Sequence, residues 1–213
     1  MQWSTTDIAD AVHTGLVERA EADDTEQVVY GFDALNELGL HPIIQSAFQK
    51  AGYGVWPEQR YPGDWKRRSK AEGKRCDIVL TPDDRPLRNP EVKGTLFDDA
   101  RAIDAQQAYW LEIKTVAQHE PEGPFTRYSA ELLSPVTHDI KKLWSDPLVR
   151  HAGLLLLLFT EDQRVAEHDL EAWHRRCIER GYPVSPPVVR QVAICDRIGN
   201  AWCAAAVFPV RRG

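Results

Sequence analysis

The sequence predicts an α/β protein with a mixed central β-sheet flanked by helices. Three observations carry that expectation. Strand-like runs arrive first as a meander, without a long helix between them. A helix-patterned crossover then leads to "GLLLLLF", a short apolar run without alternation, which reads as a strand buried on both faces. A further helix and a pair of strand-like runs close the chain. With 213 residues, 43% hydrophobic and 27% charged, a single domain with a sizeable core is expected. Its parts are an N-terminal helix (1–25), a core (34–160), and a C-terminal helix and hairpin (161–213).

"STTDIADAVHTGLVERAEA" opens on the cap-like Ser4 and Thr5 and repeats Ile8, Val12 and Leu16 at helical spacing. "EADDTEQ" reads as a polar break. A second helix is expected over 34–51, with Leu40, Ile43, Ile44, Ala47, Phe48 and Ala51 inward, and Pro42 in its first turn or interrupting it. Gly52 stops it, and the aromatic and β-branched "KAGYGVWPEQ" gives the first strand. "RCDIVLT" is the second strand, ended by Pro82. Residues 83–107 form a long irregular loop with room for a turn of helix near "DDARAID". "AYWLEIKTV" is the third strand. In "LSPVTHDIKKLWSDP", Ser134 caps a helix with Val136, Ile140, Leu143 and Trp144 as its apolar stripe. After the buried strand comes a helix with Thr160 as cap, Ala166, Leu170, Trp173 and Cys177 inward, and Gly181 as stop. "VVRQVAIC" and "AWCAAAVF", joined by "DRIGN", form a hairpin.

The net charge of −6 argues against a protein that coats nucleic acid over its whole surface. A local exception lies between Arg60 and Arg75, where Lys66, Arg67, Arg68, Lys70 and Lys74 add to those two against only Asp64 and Glu72. Cys76, Cys177, Cys195 and Cys203 show neither a C-x-x-C pair nor zinc spacing. The start "MQWSTTDIAD" lacks a basic n-region and an apolar h-region, and the oiliest run is too short to span a bilayer, so a reduced, cytoplasmic setting without membrane contact is expected. Phosphate-loop, G-x-S-x-G, H-E-x-x-H and dinucleotide fingerprints are absent from the sequence.

The third strand holds the anomaly. Alternation puts Trp110, Glu112, Lys114 and Val116 on one face, so two opposite charges share a side of an otherwise apolar strand. The preceding strand repeats the oddity with Asp77. If the two pair antiparallel, Asp77, Glu112 and Lys114 meet on one side of the sheet. Two carboxylates brought together raise a proton affinity or attract a divalent cation. Mg²⁺ takes oxygen ligands and needs only one or two protein carboxylates beside water and phosphate. A lysine at hand completes a set suited to phosphodiester hydrolysis.

Asp77 followed by Glu112-Ile113-Lys114 on the next strand resembles the signature of the PD-(D/E)XK (restriction-endonuclease-like) nuclease superfamily. The element order over roughly 34–159 is similar to that superfamily's core. The resemblance implies Mg²⁺, with Mn²⁺ able to substitute, bound by Asp77, Glu112 and the Ile113 carbonyl. Glu37 matches an acid that many members bring from the preceding helix, and His41 lies one turn later. Lys114 would orient or help deprotonate the attacking water, and cleavage would leave a 5′-phosphate. Two departures stand out: Cys76 where a proline often precedes the aspartate, and a long Asp77–Glu112 separation. The tripeptide Glu91-Val92-Lys93 would shorten the separation at the cost of the strand, so Glu112 is preferred.

DNA is the expected partner, with RNA an open alternative and a homodimer compatible with cutting both strands. Lys66, Arg67, Arg68, Lys70, Lys74 and Arg75, with Lys141 and Lys142 on the crossover helix, are the candidate phosphate contacts, and Trp65 a candidate base-stacking residue. The rival reading is a catalytically silent nuclease-like module that binds DNA in a defence or repair assembly.

Overall fold

The computed structural model describes residues 3–64, 74–133, 135–197 and 199–210, with the backbone alone for 135–137. Lys66, Arg67, Arg68, Lys70 and Trp65 lie outside the described residues.

Helix α1 (Thr5–Thr25) starts at Ser4, whose hydroxyl accepts from the Asp7 N–H at 3.1 Å. It buries Ile8, Val12 and Leu16, as the spacing predicts. It also runs on through the expected polar break. Tertiary contacts explain this: Asp23 is buried, pairs with Arg19 at 2.6 Å and accepts from the Phe32 N–H at 2.8 Å. Helix α2 (Glu37–Lys50) begins later than expected, because Phe32–Ala34 form a separate 3₁₀ turn and Asn36 caps the helix through the Gly39 N–H at 2.9 Å.

Strands β1 (Gly54–Arg60), β2 (Arg75–Thr81) and β3 (Tyr109–Ala117) form the meander. A small ribbon, β4 (His119–Glu120) with β5 (Gly123–Pro124), and the short helix α3 (Tyr128–Leu133) precede the crossover helix α4 (Pro135–Ser145); neither was foreseen. Strand β6 (His151–Thr160), helix α5 (Gln163–Glu179), and strands β7 (Val188–Ala193) and β8 (Trp202–Val210) follow. Residues 98–104 form turns and an isolated bridge rather than a turn of helix, and Leu87 bridges to Ile103. Asp162 rather than Thr160 caps α5, accepting from the Val165 N–H at 2.9 Å, because Thr160 is still held as the last residue of β6. Gly181, at φ +71, ends the turn after α5 where a side chain would be strained.

Among the described residues, six strands form one mixed sheet in the order β1-β2-β3-β6-β8-β7. Only β3 and β6 run parallel, as a right-sized helical crossover requires. Helices α1 and α2 cover one face, packing on Ile78, Leu80, Leu111, Ile113, Leu155 and Leu157. Helices α4 and α5 cover the other through Ile140, Leu143, Leu170 and Trp173, against Trp110, Leu154, Leu156 and Leu158. Trp144, expected in the α4 stripe, is instead 46% exposed. No helix among the described residues is long and apolar enough to cross a membrane.

Strand β3 pairs with β6 along its whole length, from Tyr109↔His151 to Ala117↔Phe159. With β2 it pairs only over Ile78↔Leu111, Val79↔Trp110 and Leu80↔Tyr109. The β1–β2 arm stays laddered to Arg60↔Arg75, so on the N-terminal side of Ile78 β1 and β2 diverge together from β3.

Candidate active site

The parting of β2 from β3 leaves the edge of β3 from Glu112 onward without a strand partner on that side. Asp77 fills the gap. Its Oδ2 accepts the Ile113 N–H at 2.7 Å, a charge-assisted bond in place of the missing ladder bond. Because a strand residue turns its N–H and C=O toward the same neighbour, the Ile113 carbonyl also faces this gap. Asp77 Oδ1 is left for a further partner.

Glu112 projects to the α4 side, where it is 1% exposed. The Tyr61 hydroxyl donates to its Oε1 at 2.5 Å, and Lys142 from α4 reaches its Oε2 at 3.0 Å. Lys142 also meets Asp139, one helical turn earlier, at 2.7 Å. Lys114 lies farther along β3 and pairs with Glu37, in the first turn of α2, at 3.0 Å. The two helix layers thus each send a charged residue to the same opening between strands.

Burial pushes the Glu112 carboxyl well above the ordinary carboxylate range, Asp77 adds to the shift, and Lys142 and Tyr61 oppose it. For Lys114, burial works against the ammonium, but Glu37, then Asp139 and Asp77, outweigh it and hold the proton more firmly than usual. Lys142 behaves alike: burial opposes its charge, and Glu112 and Asp139 prevail. Burial, then Glu112 and Asp77, raise the Cys76 thiol, whose Sγ donates to the Leu111 carbonyl at 3.3 Å; it is a neutral packing group here and no nucleophile.

Among the described residues, the cluster therefore holds four carboxylates (Glu37, Asp77, Glu112, Asp139) and two ammonium groups (Lys114, Lys142). When all are ionised, the surplus of two negative charges equals the charge of one divalent cation. The oxygens that could serve such a cation are hard donors: Asp77 Oδ1, Glu112 and the Ile113 carbonyl. That set fits Mg²⁺ or Mn²⁺, which need few protein ligands. Among the described residues no three His, Cys, Asp or Glu side chains gather into a ready-made cage.

The remaining candidates fall in several places. Lys74 and Arg75 are exposed at the far end of the β1–β2 arm; Lys74 lines a cleft of about 280 Å³ with Tyr61, Lys142 and Ser145, whereas Arg75 lines a separate cleft with Trp56, Leu87 and Arg88. Lys141 lies 5.7 Å from the centre of the Tyr182 ring, apart from the cluster. His41 is buried in the α2 packing. Glu91, Val92 and Lys93 sit in a turn, with Lys93 paired to Asp104 at 3.2 Å, and do not join the cluster. Sequence reasoning gave no part to Tyr61 or Asp139 and assigned Lys142 to phosphate. The Asp139-x-x-Lys142 spacing was a readable hint of a helical ion pair; nothing in the sequence marked Tyr61.

No family model, no curated protein and no solved structure matches the chain. What the site can do rests on its own geometry.

Proposed function

We propose that the protein is a divalent-metal-dependent nuclease that hydrolyses DNA phosphodiesters in the opening between β2 and β3. The observation that carries this reading is the seat of Asp77: its carboxylate is bonded to the backbone between Glu112 and Lys114, and its charge acts on both.

Asp77, Glu112 and the Ile113 carbonyl would hold the cation, which supplies polarisation of the phosphate and a more acidic water. Lys114, kept protonated by Glu37, orients the attacking water and stabilises the charge that develops on the phosphoryl oxygens. A firmly held proton favours that role over general base for Lys114. Lys74, in the cleft beside Lys142, would meet backbone phosphates. Water attack in line with the 3′-oxygen would break the P–O3′ bond and leave a 5′-phosphate.

The test is cleavage of supercoiled plasmid and of single-stranded DNA and RNA with Mg²⁺ or Mn²⁺. Cutting is expected with either metal, is stopped by a chelator, and falls at least about a hundredfold in Asp77→Asn and Lys114→Ala. A silent binding module has one observation in its favour: both Glu112 oxygens already have partners. Salt-sensitive DNA binding that survives both substitutions, with no cutting under any divalent ion, would establish that alternative.

A further inference from the structure

Lys142 sits where its charge is hardest to account for by solvation. Its ammonium bridges Glu112 Oε2 at 3.0 Å and Asp139 Oδ1 at 2.7 Å, with its side chain 18% exposed. Bridging two carboxylates is what a hard cation does, and here a tethered cation does it. The Tyr61 hydroxyl on Oε1 closes the other side of Glu112. Beside Lys142 lies the cleft of about 280 Å³ lined by Tyr61, Gly63, Lys74, Ser145 and Asp146. The cleft lies at the C-terminal turn of α4, whose carbonyls favour a positive charge. An ammonium displaced from Glu112 has a hospitable place to go. Asp146 is committed elsewhere, accepting from the Gly63 N–H at 2.6 Å and the Leu148 N–H at 2.9 Å, so the cleft is not built around Lys142 as it now stands.

We infer that Lys142 is an internal counter-ion that competes with the divalent cation for Glu112, so that loading the site moves Lys142 off that carboxylate. This rests on the metal-dependent reading above. It makes Lys142 a positioning residue that sets the metal concentration at which the site assembles.

Two measurements on the full chain test it, neither of them an activity. The first is Mn²⁺ binding, followed by electron paramagnetic resonance of the free ion. Lys142→Met is expected to bind Mn²⁺ about tenfold more tightly than the wild type, within the usual range for coupled sites. Lys142→Arg should stay near the wild-type affinity. The second needs no variant and so survives a misfolded one: pulse labelling with an amine-reactive reagent, read by mass spectrometry. Saturating Mn²⁺ should raise labelling of Lys142 several-fold and leave the exposed Lys93 unchanged. Wild-type Mn²⁺ binding with equal or weaker binding by a folded Lys142→Met, or with unaltered Lys142 labelling, overturns the inference and leaves the nuclease reading standing. Absence of Mn²⁺ binding from both proteins overturns the nuclease reading, and the inference with it.

Discussion

The two edges of β3 face opposite surroundings. Toward β6 it is laddered through nine residue pairs, and its neighbours Leu154 to Leu158 are fully buried. Toward β2 it is laddered through three pairs and then released, and the opening collects Asp77, Glu112, Lys114, Glu37, Asp139 and Lys142. One strand thus serves as core on one edge and as the floor of a polar cleft on the other. The saturated edge fixes the backbone, so the charged side chains on the open edge need not be stabilising to be held in place. Buried charges are costly to desolvate unless paired.

Substitutions on the two edges should therefore separate activity from stability. The largest effect expected is on the open edge: Asp77→Asn keeps an oxygen for the Ile113 N–H, yet loses at least about a hundredfold in metal-dependent cleavage with little change in melting temperature. A parallel loss of fold would erase the contrast. On the laddered edge, Leu156→Ala removes a fully buried side chain and should cost about 2–5 kcal/mol in urea unfolding. Metal binding by the folded fraction should persist.

Tyr61→Phe comes next. It removes the 2.5 Å hydrogen bond to Glu112 and should cost about 1–3 kcal/mol by the same measurement. Glu112 also imposes a pH dependence with a definite sign. Its folded pKa lies above the ordinary 4.5, so above that pH the unfolded chain has released a proton that the native state keeps. This contribution is fully present at acid pH and is lost as pH rises from about 4.5 through the folded value. Glu112→Gln should remove that component, giving a flatter stability–pH profile over the same window. Smallest of all, Lys93→Ala in the turn outside the cluster should change stability by no more than about 0.5 kcal/mol and leave cleavage untouched.

Much of this was readable in advance. The runs "RCDIVLT" and "AYWLEIKTV" have the composition and length of strands, and they are β2 and β3 nearly to the residue. Ala166, Leu170, Trp173 and Cys177 repeat at helical spacing and are all buried in α5. Other features were not readable because periodicity does not show which polar side chains find partners in the folded chain. Helix α1 crosses a polar stretch because Asp23 finds Arg19 and the Phe32 backbone. Trp144 is turned outward although its spacing places it with Leu143.

The sequence by itself determined the α/β class, the alternation of β3, and which residues carry charge on strands that otherwise read as core. Local periodicity and side-chain chemistry decide those matters, and both are written residue by residue. Only the tertiary structure decided that β2 is apart from β3 on the N-terminal side of Ile78, that Asp77 takes the Ile113 N–H, and that Lys142 and Tyr61 close on Glu112. Those arrangements join residues thirty or more positions apart, through hydrogen bonds and charges whose strength depends on how much water the finished fold excludes.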